Sequence, residues 1–140
     1  MYLPRVKIKE SQIDGKGVFA LENIPKGTIV WKYKPGYDLT YTSDEYEKMN
    51  AEEKAILVRS AYLSPWTDLW ICPPPDDPAH YTNHSNSNNI SVKYDESVSS
   101  EPYFIANRNI LTNEEITNNY YDFDRITQET RPDWTNKDTV

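Results

Sequence analysis

Polar and apolar residues alternate from the first turn of the chain. Arg5-Val6-Lys7-Ile8-Lys9 has the two-residue period of a strand. Asp14-Gly15-Lys16-Gly17 reads as a turn, Val18-Phe19-Ala20 as a strand and Ile24-Pro25-Lys26-Gly27 as another turn. Thr28–Tyr33 reads as a third strand, ended by Pro35-Gly36. From Thr42 to Leu63 the period changes. Thr42-Ser43-Asp44-Glu45 fits a capping box, and Asn50-Ala51-Glu52-Glu53 offers a second helix start. Ala55, Ile56, Val58 and Ala61 then recur at helical spacing, which predicts a short helix, a break near Asn50 and a helix over about 51–62. Past Ser64-Pro65, Trp66–Cys72 is predicted as a strand and Pro73–Pro78 as a stiff loop. Tyr81–Asn89 is polar and rich in asparagine. Ile90–Tyr94 and Tyr103–Arg108 are predicted strands, and Thr112–Glu115 is a turn before a short strand at Ile116-Thr117. From Asp124 the chain is polar, a helix or an irregular tail. There is no internal repeat. The pattern predicts a mainly β domain with a small helical insertion at about 43–63.

Composition narrows the choices. A chain of 140 residues makes one domain, and Cys72, the single cysteine, excludes an internal disulfide framework or a multi-cysteine metal site. Cys72 ends an apolar strand and is expected to be a small buried residue. No apolar run is long enough to span a membrane, and the N-terminus lacks the apolar stretch of a signal peptide. A soluble protein of the cytoplasm or nucleus is therefore expected. The net charge of −7 is unevenly spread, with +4 over residues 1–34 and −11 over residues 35–140. An acidic body argues against direct binding to nucleic acid and favours basic ligands such as lysine-rich peptides. Eleven tyrosines and four tryptophans suit pockets and interfaces, and they also suit strands.

Three segments carry a resemblance. Gly15-Lys16-Gly17-Val18-Phe19-Ala20, with Asn23-Ile24-Pro25-Lys26-Gly27, resembles the GxG segment and following I-x-x-G hairpin of the SET-domain protein lysine methyltransferases. Tyr81–Asn89 resembles that family's central Asn-His-Ser motif. Ile105–Tyr120, ending Asn113-Glu114-Glu115-Ile116-Thr117-Asn118-Asn119-Tyr120, resembles its closing Gly-Glu-Glu-Leu-Thr-x-x-Tyr. Tyr33-Lys34-Pro35-Gly36 is a loose counterpart of its Tyr-x-Gly motif. In order, the segments cover about residues 5–123. Glycines at 15 and 17 would let backbone approach a ligand without a side chain in the way.

The resemblance implies short strands in small sheets, a SET domain over residues 1–123 and a C-terminal pseudoknot that places Tyr120 beside Asn83-His84. It implies S-adenosyl-L-methionine as cofactor, held by backbone of Lys16 and Gly17, the Asn83 side chain and backbone of His84, and by Tyr120. Tyr120 is the implied catalytic residue. Residues 124–140 would close the cofactor site, with Trp134 stacked on adenine and Phe123 as the other choice. The substrate implied is a lysine in a basic, histone-like protein segment, reached through a channel formed by Asn118 and by aromatics among Tyr33, Tyr62, Tyr81 and Tyr121. The acidic side of the helical insertion would face that substrate. The resemblance leaves open monomer or homodimer.

The chain departs from the family at Asn86, Asn88 and Asn118, where Cys, Pro and an aromatic are usual. Asn118 would widen or wet the channel, so a non-catalytic, peptide-binding SET-like module is the alternative. No metal is expected, since His80 and His84 lie on a polar loop without a third ligand. Glu114 and Glu115 are adjacent on a strand and should face opposite ways, one bonding backbone and the other solvent.

Overall fold

The computed structural model describes residues 1–133. Its strands are β1 (Val6–Glu10), β2 (Lys16–Ala20), β3 (Ile29–Lys32) and β4 (Leu39–Tyr41), followed by helices α1 (Ser43–Glu47) and α2 (Ala51–Ser60). Then come β5 (Tyr62–Leu63), β6 (Trp70–Cys72), β7 (Asn83–His84), β8 (Ile90–Lys93), β9 (Tyr103–Ala106), β10 (Glu115–Asn118) and helix α3 (Arg125–Thr130). Short 3-10 turns sit at Pro78–Tyr81 and Tyr120–Asp122. Three small sheets result, ordered β1-β2-β10-β7, β3-β9-β8 and β4-β6-β5. The fold is mainly β, as the strand-and-turn pattern predicts.

Both predicted capping boxes form. The Thr42 hydroxyl accepts from Glu45 N at 3.1 Å and the Asn50 side-chain Oδ1 from Glu53 N at 2.8 Å, while each glutamate reaches back to its cap's N–H. Satisfying both orphan donors starts each helix sharply. The face that α2 buries is not the predicted one. Leu57 is its buried residue, whereas Ile56 and Val58 are exposed. The apolar repeat therefore marks an open helix surface, and α2 is anchored through Leu57 to Leu63, Trp70 and Cys72. Cys72 is buried, as expected. Tyr46 of α1 stacks on Trp70 with ring centroids 4.9 Å apart.

Elsewhere the boundaries shift. The strand expected over Trp66–Cys72 begins only at Trp70, because residues 65–67 turn and Asp68 takes φ +60°. That turn makes β5 and β6 a hairpin, so Tyr62 ends up in a strand and not in the last turn of α2. β4 was not expected; its three residues are too few to show a period, and only pairing with β6 defines it. The main core is Val18, Ala20, Val30, Ile71, Ile90, Phe104, Ile116 and their neighbours, where the inner faces of the sheets meet.

One pairing brings distant segments together. β10 lies antiparallel to β2, with Ile116 opposite Val18, and parallel to β7, with Asn118 opposite His84. Asn89 reinforces it. Its side chain donates to Glu115 O at 2.8 Å and accepts from Thr117 N at 2.9 Å, so a buried amide acts as an extra rung beside β10. No helix among the described residues is long and apolar enough to cross a membrane.

Candidate active site

The turn between β1 and β2 is built around one hydroxyl. Ser11 Oγ accepts from Ile13 N at 2.9 Å and donates to Glu115 Oε1 at 2.7 Å. The other carboxylate oxygen, Glu115 Oε2, accepts from Asn83 Nδ2 at 2.8 Å. Asn83 Nδ2 also faces Ser11 Oγ at 3.1 Å, Lys16 O at 3.1 Å and Asp14 O at 3.2 Å. Thus β1's turn, β7 and β10 are latched by a serine, an asparagine and a glutamate. The amide's Nδ2 side is spent on this latch, and Oδ1 is left to accept.

Glu115 also explains Gly17. A Cβ there would overlap Glu115 Oε2 and lie 2.7 Å from its Cδ. The missing side chain at Gly17 thus leaves room for a protein carboxylate. At Gly15 a Cβ would meet nothing, but the backbone takes φ +46°, which suits glycine. Glu114 turns the other way, pairing with Arg108 at 2.8 Å and accepting from Leu111 N. Burial pushes the Glu114 carboxyl up, but Arg108 and the Leu111 N–H outweigh it and hold the group below its ordinary value. The two glutamates do point apart. Sequence reasoning nevertheless missed Glu115, whose partners lie far off in the chain.

His84 is buried and committed at both ring nitrogens. Nδ1 accepts from Tyr120 N at 3.0 Å, so Nε2 carries the proton and donates to Asn86 Oδ1 at 3.1 Å. Asn86, a departure from the family, thus has a job: it fixes the His84 tautomer. His80 Nε2 likewise donates to Pro73 O and Pro74 O, at 2.9 and 2.8 Å. Among the described residues no group of three or more side chains could hold a metal ion.

The Tyr120 hydroxyl donates to Thr82 O at 2.6 Å, and its ring meets those of His84 and Phe123 edge-on, at 5.2 and 5.8 Å. Burial, with the Asp124 and Asp14 charges adding to it, raises this hydroxyl well above the ordinary tyrosine value. It stays protonated at any physiological pH.

These groups border a cavity of about 1010 Å³. Asp14, Thr82, Asn83, His84 and Tyr120 line it, together with apolar Ile71, Ile90, Phe104 and Phe123. Tyr62 and Asn118 line it too. Tyr62 packs edge-on to Phe123 at 5.2 Å, and burial pushes its hydroxyl far up. Residues of α2 and α3, including Val58, Arg59 and Thr130, complete the lining. Three candidates are not brought to the lining. Tyr81 is exposed at the end of its 3-10 turn, Tyr121 sets its ring edge-on to His84 at 6.2 Å, and Tyr33 packs against the main core. Turn geometry swings Tyr81 outward and Tyr121 follows Tyr120 on a 3-10 turn, so neither repeats the strand alternation that would aim it inward. Lys16 contributes through its carbonyl to the latch on Asn83. Trp134 lies outside the described residues.

Comparison with known proteins agrees with this architecture. The family model described as "SET domain" matches residues 15–121. A search of curated proteins finds no match. Among solved structures, a candidate histone methyltransferase of Plasmodium falciparum is similar, at 23% identity and a TM-score of 0.57, covering 84% of this chain and 94% of that one. The Chaetomium thermophilum Polycomb Repressive Complex 2 bound to the inhibitor GSK126 gives 22% identity and a TM-score of 0.65, over 90% of this chain and 17% of that one. The same complex with H3K27me3 and H3K27M gives 23% and 0.60, over 84% of this chain and 14% of the other. The chain therefore spans a small fraction of the polycomb chains it matches.

Proposed function

From the premise that the chain belongs to the SET-domain family, we propose that it is an S-adenosylmethionine-dependent methyltransferase acting on a lysine in a basic protein segment. The observation that carries this reading is the convergence of Asp14 from the β1–β2 turn, Asn83-His84 and Tyr120 on one cavity.

The residues present fit the cofactor. Asn83 Oδ1 and the carbonyl of Lys16, which retains a lone pair beyond its bond to Asn83, are acceptors suited to an amino-acid ammonium. When bound, S-adenosylmethionine supplies a methyl group on a positively charged sulfur. The protein's part is positioning. His84 holds the Tyr120 backbone, and the Thr82 carbonyl accepts from the Tyr120 hydroxyl, which fixes the ring beside His84. Tyr120 stays protonated, so it orients the reactants and removes no proton itself. A lysine has a free pKa of about 10.4 and must reach the site neutral. The apolar walls at Ile71, Ile90, Phe104 and Phe123 favour that form. Aromatic rings suit the lysine stem.

The acidic body supports a basic substrate. A histone-like lysine fits, since one structural neighbour is a complex with H3K27me3. Asn118, standing where the family has an aromatic, favours the second reading, a binding module without turnover.

Tritium transfer from labelled cofactor to core histones, followed by scintillation counting, tests the proposal. Wild type should transfer label, and Tyr120→Phe should lose about a hundredfold in rate. Equal transfer by both would remove Tyr120 from its role. Calorimetry with S-adenosylhomocysteine separates the two readings, because a protein that binds none is not this enzyme.

A further inference from the structure

Residues 1–3 reach the cavity although they precede every named strand. They lie along the edge that β3 presents at the side of its sheet. Leu3 N donates to Val30 O at 2.9 Å, Lys32 N donates to Met1 O at 3.1 Å, and Tyr2 bridges Trp31 in antiparallel register. Pro4 has no N–H with which to continue the ladder. Strand alternation turns Leu3 outward, where it is exposed, and Tyr2 inward against the main core.

Tyr2 lines the same cavity as Tyr120. Its hydroxyl lies 2.5 Å from Thr82 Oγ1, a hydrogen bond that either atom can donate. The carbonyl of that same threonine accepts from the Tyr120 hydroxyl at 2.6 Å. One buried residue therefore holds two tyrosines, one by its side chain and one by its main chain. The pairing of β7 with β10 covers Asn83 and His84 and does not extend to Thr82, whose N–H makes a long bond of 3.3 Å to Ala79 O. The side-chain bond to Tyr2 is thus a main anchor of this peptide. Burial pushes the Tyr2 hydroxyl well up, against the pull of the Thr82 bond, with Asp77 and Tyr120 adding to the rise. Tyr120 is raised as well, so both keep their protons, and what passes between them is position.

We propose that Tyr2 is a positioning residue for Tyr120, acting through Thr82, and that the edge strand at residues 1–3 delivers it. This rests on the methyltransferase reading of the same cavity. Transfer in line depends on placement, and an error of about 1 Å can cost a hundredfold. A Thr82 peptide released from its side-chain anchor can tilt, and the Tyr120 hydroxyl follows the carbonyl it is bonded to. Tyr2 and Thr82 are 80 residues apart, so no local pattern in the sequence announces the link.

The test uses the full chain, a histone-tail peptide and labelled cofactor. Tyr2→Phe keeps the ring in the core and deletes only the hydroxyl. It should lower kcat about tenfold and leave KM for the peptide within about twofold. Thr82→Val should do the same, and Thr82→Ser, which retains a hydroxyl, should keep most of the rate. The deciding comparison is made in the Tyr120→Phe background. With no hydroxyl left to place, Tyr2→Phe should cost nothing more there. A second readout needs no turnover. NMR of protein carrying isotope-labelled tyrosine, with the Tyr120 ring assigned from Tyr120→Phe, should show that resonance shifted in Tyr2→Phe and in Thr82→Val. Tyr94→Phe, a change outside the cavity lining, should leave it unmoved. Wild-type kcat in Tyr2→Phe, a raised KM in place of a lowered kcat, or an equal loss in both backgrounds would each overturn the inference. If no protein transfers label, the methyltransferase reading falls and the Tyr120 resonance decides alone: a shift in Tyr2→Phe upholds the link through Thr82, and its absence overturns it.

Discussion

At position 17 a side chain has nowhere to go, because the carboxylate of Glu115 already occupies the space. Glu115 is in turn held by Ser11 and Asn83, so the clash cannot be relieved by a simple swing of the glutamate. Gly17→Ala should destabilise the protein by about 1–3 kcal/mol. If the carboxylate is the cause, the double variant with Glu115→Ala should lose less than the two single changes summed, by about 1 kcal/mol or more. Urea unfolding of the four proteins of the cycle measures this. Strict additivity would mean that Gly17 is required for some other reason. The same arrangement shows why glutamate 115 could not be read from the sequence. Strand alternation separates it from Glu114 correctly, but nothing local tells that Ser11 and Asn83 will be its partners.

At the scale of elements, local signals were the legible ones. Both capping boxes involve residues three apart, and both formed where they were expected. Strand boundaries depend on neighbours, and there the reading slipped: β4 was invisible at three residues, and a turn with Asp68 in the left-handed region cut the β6 strand short. The apolar repeat of α2 misled because the helix is held through Leu57 and by hydrogen bonds at its start, with little apolar face buried. That places unusual weight on its cap. Asn50→Ala should lower stability by about 1 kcal/mol. It should also loosen the end of the helix that carries Val58, Arg59 and Ser60 to the cavity. Thermal unfolding followed by circular dichroism reads the first effect, and faster amide exchange at residues 51–60 reads the second. An unchanged melting temperature would show that Leu57 alone anchors the helix.

For the whole molecule, the ordered motifs were enough to expect the fold and to point to Asn83, His84, Tyr120, Tyr62 and Asn118, which line one cavity. They were not enough for Tyr81 and Tyr121, whose direction is set by 3-10 turns, nor for Asn89, hidden in a polar run yet buried. Asn89 joins two sheets: its side chain serves β10, and its own carbonyl accepts from Asn107 N at 2.9 Å just past β9. Asn89→Ala would strand the Thr117 N–H and the Glu115 carbonyl and should cost about 2–4 kcal/mol. Guanidinium unfolding checks it, and a loss like that of an exposed asparagine would mean that water replaces the amide freely.

The strand order β1-β2-β10-β7 has a consequence for how the protein is made. β2 leaves the ribosome well before β10, the strand that covers its open edge. Until residues 115–118 emerge, the nascent chain carries an unpaired ladder at β2. Pairing over such a separation is intrinsically slow. The growing chain is therefore exposed to wrong partners in the interval before β10 arrives. The strand that covers the β2 edge also carries Asn118 to the cavity.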